Sequence, residues 1–274
     1  MPLFRRGDGE LVTGAPPLRV LMPHLMPGRN ESAVYFAQQL RIAGTQAVLA
    51  ARAPGSARVG FFHVLLAALV RTLSERPLLN RFVVGRRLYQ RRGIALSFAV
   101  KKAMSDSGAL TTVKVRFDGT ERLEAVASRV EAAVQEGRGE RPTQSEREMN
   151  LVTRLPQPVL RLAMWAQRVL DGCNLLPDAL TRDDPLYASA FVANLGSVGL
   201  DAPWHHLYEY GTVPLFMVIG RTHRAPVVEA DGQLAVAEVV EVKYTLDERI
   251  ADGFYCARSL ERFRELVEDP ALLL

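Results

Sequence analysis

The sequence predicts a mixed α/β layer fold. Alternating or β-branched strand-like stretches recur along it, amphipathic helical stretches fall between them, and no internal repeat or low-complexity segment interrupts the chain. The elements follow in order. Residues 1–18, polar and rich in Gly and Pro, read as a flexible N-terminal arm, and residues 19–274 as one core domain. Pro23 and Pro27 break up any long helix in the next stretch. Residues 33–42 read as a strand followed by a turn at Gly44. Residues 60–74 form an amphipathic helix, with Leu65, Leu66, Leu69 and Leu73 at helical spacing. Residues 81–89 and 94–100 read as two strands around a turn at Arg91-Arg92-Gly93, and 111–117 alternates Val with polar residues as a third strand. A helix at 123–136 is ended by Gly137, and the charged stretch 137–150 is a linker. Residues 151–180 are less regular and hold an amphipathic helix over Pro158 to Leu170. Strands return at 188–194, 214–220 and 238–245, and a helix at 254–268 precedes the apolar end Leu272 to Leu274.

Composition bounds the function. The chain has 274 residues, 48% hydrophobic and 23% charged, enough for a sizeable core. A net charge of +4, carried almost wholly by Arg because Lys occurs only at 101, 102, 114 and 243, is mild and dispersed. It fits attraction for an anionic ligand and gives no nucleic-acid footprint. Cys173 and Cys256 lie in no CxxC or zinc-type spacing, so neither a disulfide framework nor a metal site is expected, and a reducing cytoplasm is the expected location. The apolar run 59–70 is too short to span a bilayer, which needs about 20 residues, and a membrane is not an expected partner.

Few residues carry a chemical signal. Gly7-Asp8-Gly9 lacks the strand–turn–helix context of a phosphate loop, and neither a GxSxG elbow nor an HExxH pair occurs. His63, in the apolar helix start, reads as a packing or capping residue. His205-His206, behind Trp204 in a Gly-, Pro- and aromatic-rich segment, fits either a loop lining a site or a surface turn with Trp204 and Tyr208 beneath it. Asp247-Glu248-Arg249 and Asp252-Gly253 stand between a strand and a helix, where sites often lie; solvated loop charges are the plainer reading.

The segment 244–255, YTLDERIADGFY, resembles the DHRxxDG signature of the dihydrolipoyl acyltransferase catalytic domain of 2-oxoacid dehydrogenase complexes, and more distantly the HHxxxDG signature of chloramphenicol acetyltransferase. Asp247, Arg249, Asp252 and Gly253 match, while Glu248 stands at the family histidine. Upstream, VANLGSVG at 192–199 resembles the ISNLGxxG segment: Asn194, Leu195, Gly196 and Gly199 match, and Ala193 stands at the serine. The likeness runs from about residue 19 to the end, with no clear counterpart for 140–187 in the dehydrogenase cores.

This resemblance implies a two-layer α/β sandwich with a mixed β-sheet, chloramphenicol acetyltransferase-like, assembled as a homotrimer whose sites lie in channels between neighbours. It implies CoA as a substrate and acyl-CoA as a partner, with Leu272–Leu274 resembling the hook that joins trimers into larger hollow assemblies. No lipoyl or peripheral-subunit-binding domain is expected in the chain. Asp252 is expected to be held by Arg19 or Arg29, as a family arginine holds the DG loop. Cys256, inside the last helix, is expected to be a buried structural thiol.

The two departures weigh on the chemistry. The family histidine takes a thiol proton and the serine hydroxyl donates to the oxyanion. A thiol of pKa about 8.5 loses its proton to an imidazole of about 6.5 at a cost near 2.7 kcal/mol, and to an unperturbed glutamate at near 6 kcal/mol. Losing one oxyanion donor costs roughly a hundred- to a thousand-fold. Three functions follow. One is an acyltransferase with a rebuilt site, His205 or His206 acting as base and Glu248 orienting it. Another is a silent homologue kept as an oligomeric scaffold or assembly subunit. The last is an acyl-CoA or lipid-binding module using the stretch 158–170.

Overall fold

A computed structural model describes residues 5–52, 59–102, 105, 108–139, 147, 150, 152–229 and 231–274. Its main sheet has six strands in the order β2-β9-β8-β7-β5-β6: β2 (Ala33–Arg41), β5 (Ile94–Lys101), β6 (Leu110–Phe117), β7 (Ala190–Asn194), β8 (Leu215–Val228) and β9 (Leu234–Asp247). β7 runs parallel to β5 and β8, and the other pairings are antiparallel, so the sheet is mixed. A small antiparallel sheet, β1 (Gly9–Leu11), β4 (Arg87–Arg91) and β3 (Arg81–Val84), sits beside it.

One face of the main sheet is roofed by helices. α3 (Phe61–Glu75) buries ten of its residues, because its apolar stretch Val64 to Val70 lies between α4 (Leu123–Arg138), the final helix α7 (Gly253–Glu268) and the sheet. Strand alternation sends Leu96, Phe98, Val192, Met217 and Val242 into this core. The opposite residues, among them Phe191, Phe216 and Val218, form a smaller cluster on the other face. This is the two-layer sandwich with a mixed sheet that the resemblance implies.

Several expectations are corrected. Residues 5–18 are not a loose arm. β1 pairs with β4, and Arg6, 8% exposed, bridges Asp8 at 2.8 Å and Asp171 at 2.6 Å beside Phe82 and Tyr89. A buried arginine is stable only with such partners. Residues 17–25 form a short helix, α1 (Pro17–Leu25), with Pro23 inside it. Gly44 belongs to helix α2 (Ala43–Ala50) and not to a turn: a side chain there would meet the Glu268 carbonyl at 2.0 Å, so glycine lets the helix press on the chain end. Residues 81–89 are two strands turning at Gly85-Arg86, and β4 and β5 belong to different sheets. β8 and β9 extend past the expected ends as a long hairpin. α4 reaches Arg138, and most of the expected linker, residues 140–146, 148 and 149, lies outside the described residues. Leu273 is buried in the chain's own core while Leu272 and Leu274 are exposed.

Candidate active site

The strand-to-helix junction at 247–253 is built around a buried ion pair. Asp247 ends β9, and the Arg249 guanidinium grips it through two oxygens at 2.8 and 2.7 Å, with side chains 1% and 2% exposed. The remaining Arg249 donors reach the carbonyls of Met26 and Pro27 at 2.9 and 3.0 Å. Arg249 thus faces Asp247, away from Glu248. Asp252 caps α7, accepting from the Tyr255 amide at 2.8 Å. The expected Asp252 salt bridge is not formed by either candidate. Arg19 donates to the carbonyls of Glu248 and Ala251, and Arg29, buried, donates to the carbonyls of Tyr208, Glu209 and Val83. Both arginines hold loops through main-chain oxygens, while the Asp252 carboxylate caps the helix through a single amide. Gly253 opens α7 with open space where a side chain would stand.

The segment matching at 192–199 is also largely structural. Asn194 Oδ1 accepts from the Ser197 amide at 3.2 Å, closing a turn in which a Gly196 side chain would collide with the Gly220 carbonyl at 2.3 Å. Ala193 packs against the smaller apolar cluster on the face away from the helices.

His205 lies on that same cluster. Its ring stacks on Phe216 at 3.8 Å and on His206 at 4.8 Å, and its carbonyl accepts from Thr245 Oγ1. Nδ1 of His205 lies 2.7 Å from the His206 carbonyl, and Nδ1 of His206 lies 2.9 Å from the Leu207 carbonyl. A carbonyl only accepts, so each Nδ1 carries a proton and the other ring nitrogen, Nε2, is the one that can take up or give a further proton. Burial holds the His205 pKa below the usual imidazole value. The fold therefore brings Ala193 and the two imidazoles to one face. It does not pair Glu248 with either imidazole within the chain: among the described residues, the imidazole within ion-pairing distance of a carboxylate is His63, 3.3 Å from Glu131. His63 also accepts from the Gly60 amide at 2.9 Å, a helix cap as expected. Cys256 is buried, and burial pushes its thiol up to about 11, while Cys173 is exposed.

Two cavities were not foreseen as such. One, about 590 Å³, is a cleft between α5 (Gln157–Gly172) and the body, with Trp165, Arg29, Arg249 and Glu209 in its walls. The other, about 500 Å³, holds Lys114 and Arg91 and is bordered by α6 (Asp178–Arg182). Lys114 offered only one faint signal, as one of four lysines in a strand of alternating Val.

Residues 178–274 match the family model of the 2-oxoacid dehydrogenases acyltransferase (catalytic domain). Over that C-terminal stretch the chain is similar to these acyltransferase catalytic domains. It is 25% identical over 208 residues, 76% of its length, to the lipoamide acyltransferase component of the branched-chain alpha-keto acid dehydrogenase complex of Bacillus subtilis, and spans 39% of that protein. Its fold is similar to a probable dihydrolipoamide acetyltransferase from Listeria monocytogenes (TM-score 0.60, 15% identity, 96% of this chain and 95% of that one). The dihydrolipoamide acetyltransferase of Azotobacter vinelandii gives TM-score 0.61 at 16% identity, over 96% and 94%. A chloramphenicol acetyltransferase gives TM-score 0.52 at 12% identity, over 95% and 98%. These solved structures share the chain's fold.

Proposed function

We propose that the chain is a CoA-dependent acyltransferase with a rebuilt site, in which His205 or His206 is the general base that the family places at the position of Glu248. The observation that supports it is the state of the two imidazoles: each Nδ1 is committed to a main-chain carbonyl, leaving each Nε2 able to take a thiol proton. The orienting role expected of Glu248 passes within the chain to those carbonyls, as a hydrogen bond at one ring nitrogen fixes the reactivity of the other. The working unit is a homotrimer, its neighbour packing on the sheet face that carries Trp204, Tyr35, Val198 and Leu200, all about half exposed. CoA is a substrate, and Leu272 and Leu274, exposed at the chain end, are the contacts for any larger assembly.

The test is acyl transfer from acetyl-CoA to dihydrolipoamide by the purified chain. We expect turnover that falls about 10²- to 10⁴-fold in His205→Gln or His206→Gln. No turnover, or turnover indifferent to both substitutions, overturns this reading. A silent oligomeric scaffold is the second reading, favoured by Ala193, which has no hydroxyl to donate to an oxyanion, and by the lack of an imidazole partner for Glu248 within the chain among the described residues.

A further inference from the structure

The cavity of about 500 Å³ lies where β6, the start of β5 and helix α6 meet Gly7 and Asp8. Val113 and Val115 point into the helix-covered core, so strand alternation turns Lys114 and Arg116 to the opposite face. There the Lys114 Nζ has two acceptors, the main-chain carbonyls of Thr181 and Asp184, each at 3.1 Å. Among the described residues no carboxylate lies within ion-pairing distance of it; the acids of the neighbourhood are engaged elsewhere, Asp8 with Arg6 and Asp184 with Tyr210. An ammonium has three N–H groups to satisfy, whereas a neutral amine has two and a lone pair. Two uncharged acceptors suit the amine. Burial, with Arg91 and Arg116 adding repulsion against the pull of Asp184 and Asp8, pushes Lys114 down to about 7.

Arg91 supplies the second half of the site. Its side chain is 3% exposed, and Nη2 donates to the Thr212 carbonyl and hydroxyl at 3.1 and 2.8 Å. Its Nη1 makes a long ion pair with Asp8 at 3.9 Å, and its buried Nε has no hydrogen-bond partner among the described residues. A buried guanidinium with one distant carboxylate and an unspent donor gains from a further anion.

We propose that Lys114 is the nucleophile of a carbonyl-binding site, condensing reversibly with a small aldehyde or ketone whose anionic group is held by Arg91 and Arg116. The amine lone pair attacks the carbonyl carbon and a C–N bond forms. The carbonyl oxygen then leaves as water with both amine protons, giving an imine. Protonation of the imine restores one N–H, which donates to Thr181 or Asp184. The site is independent of acyl transfer at His205 and His206.

The four lysines make a self-controlled test. The full chain is treated at neutral pH with glyoxylate and sodium cyanoborohydride, and carboxymethylation is mapped by peptide mass spectrometry at Lys101, Lys102, Lys114 and Lys243. We expect Lys114 to be modified at least about ten-fold faster than the other three. We also expect glyoxylate to outpace acetaldehyde, its uncharged counterpart, at Lys114 alone. Arg91→Lys should erase that preference; if this variant fails to fold, the comparison of the two aldehydes on the native chain decides the same point. Lys114→Arg should abolish the fast adduct without altering acyl transfer. Even labelling across the four lysines, or equal rates for the two aldehydes at Lys114, overturns the proposal.

Discussion

The turn at 247–253 and the loop at 203–208 spend their polar atoms in opposite ways. In the turn, Asp247 and Arg249 are consumed by each other, Arg249 also by carbonyls, and Asp252 caps a helix amide. In the loop, each imidazole commits one nitrogen and keeps the other. The turn carries the recognisable motif, and the loop carries the uncommitted lone pairs. On the proposed reading, the signature serves architecture and the groups that do the chemistry stand in the loop.

The strongest way to break this contrast is to remove the ion pair. Arg249→Met leaves Asp247 buried without its partner and should cost about 3–5 kcal/mol of stability, read by chemical denaturation. A loss below about 1 kcal/mol would show that the turn is not the structural member of the pair. His205→Gln should cost only about 0.5–1.5 kcal/mol, the worth of its stack on Phe216, while cutting acyl transfer about 10²- to 10⁴-fold, measured by CoA release.

The pH profile sharpens the assignment. A base must be deprotonated, and burial lowers the His205 pKa. If His205 is the base, the acid limb of kcat/KM should therefore fall below the ordinary imidazole value of about 6.5, with activity lost as pH drops through the lowered pKa. An acid limb above that value points away from His205. Asp252→Ala should cost about 1 kcal/mol, the worth of a helix N-cap, far less than Arg249→Met. The smallest effect belongs to Glu248→Gln, expected within about 0.5 kcal/mol of wild type in the denaturation experiment. A larger loss would reveal a partner for its carboxylate on a neighbouring subunit. Thiol titration makes a parallel contrast: Cys173 should react in the native chain and Cys256 only after unfolding, since burial raises its pKa to about 11.

Much of the fold was legible because its elements are periodic. α3, β5, β6, α4 and α7 carry apolar residues at clean spacings of 3.6 or 2, and their expected limits fall within two residues of the observed ones. The far half of the β8–β9 hairpin was not legible. Thr222 to Val228 and Leu234 to Ala237 lie mostly exposed beyond the helix-covered layer, so few core-type residues mark them as strand. In the site, the motif residues could be placed but not their partners, since Arg249 is completed by carbonyls more than two hundred residues away. Lys114 was the least legible of all: Thr181 and Asp184, which determine its state, lie about seventy positions downstream, and no local pattern in β6 encodes them.

The pairing of β2 with β9 has a consequence for how the chain is made. β2 is complete within the first 41 residues, yet every main-chain partner it has in the sheet comes from 239–247. Until residues 239–247 are made this strand waits without β9, its one partner in the sheet, and it closes into place only after they have left the ribosome. Premature termination anywhere before residue 239 would leave behind an open, strand-forming edge, so incomplete products should aggregate more readily than the finished protein does.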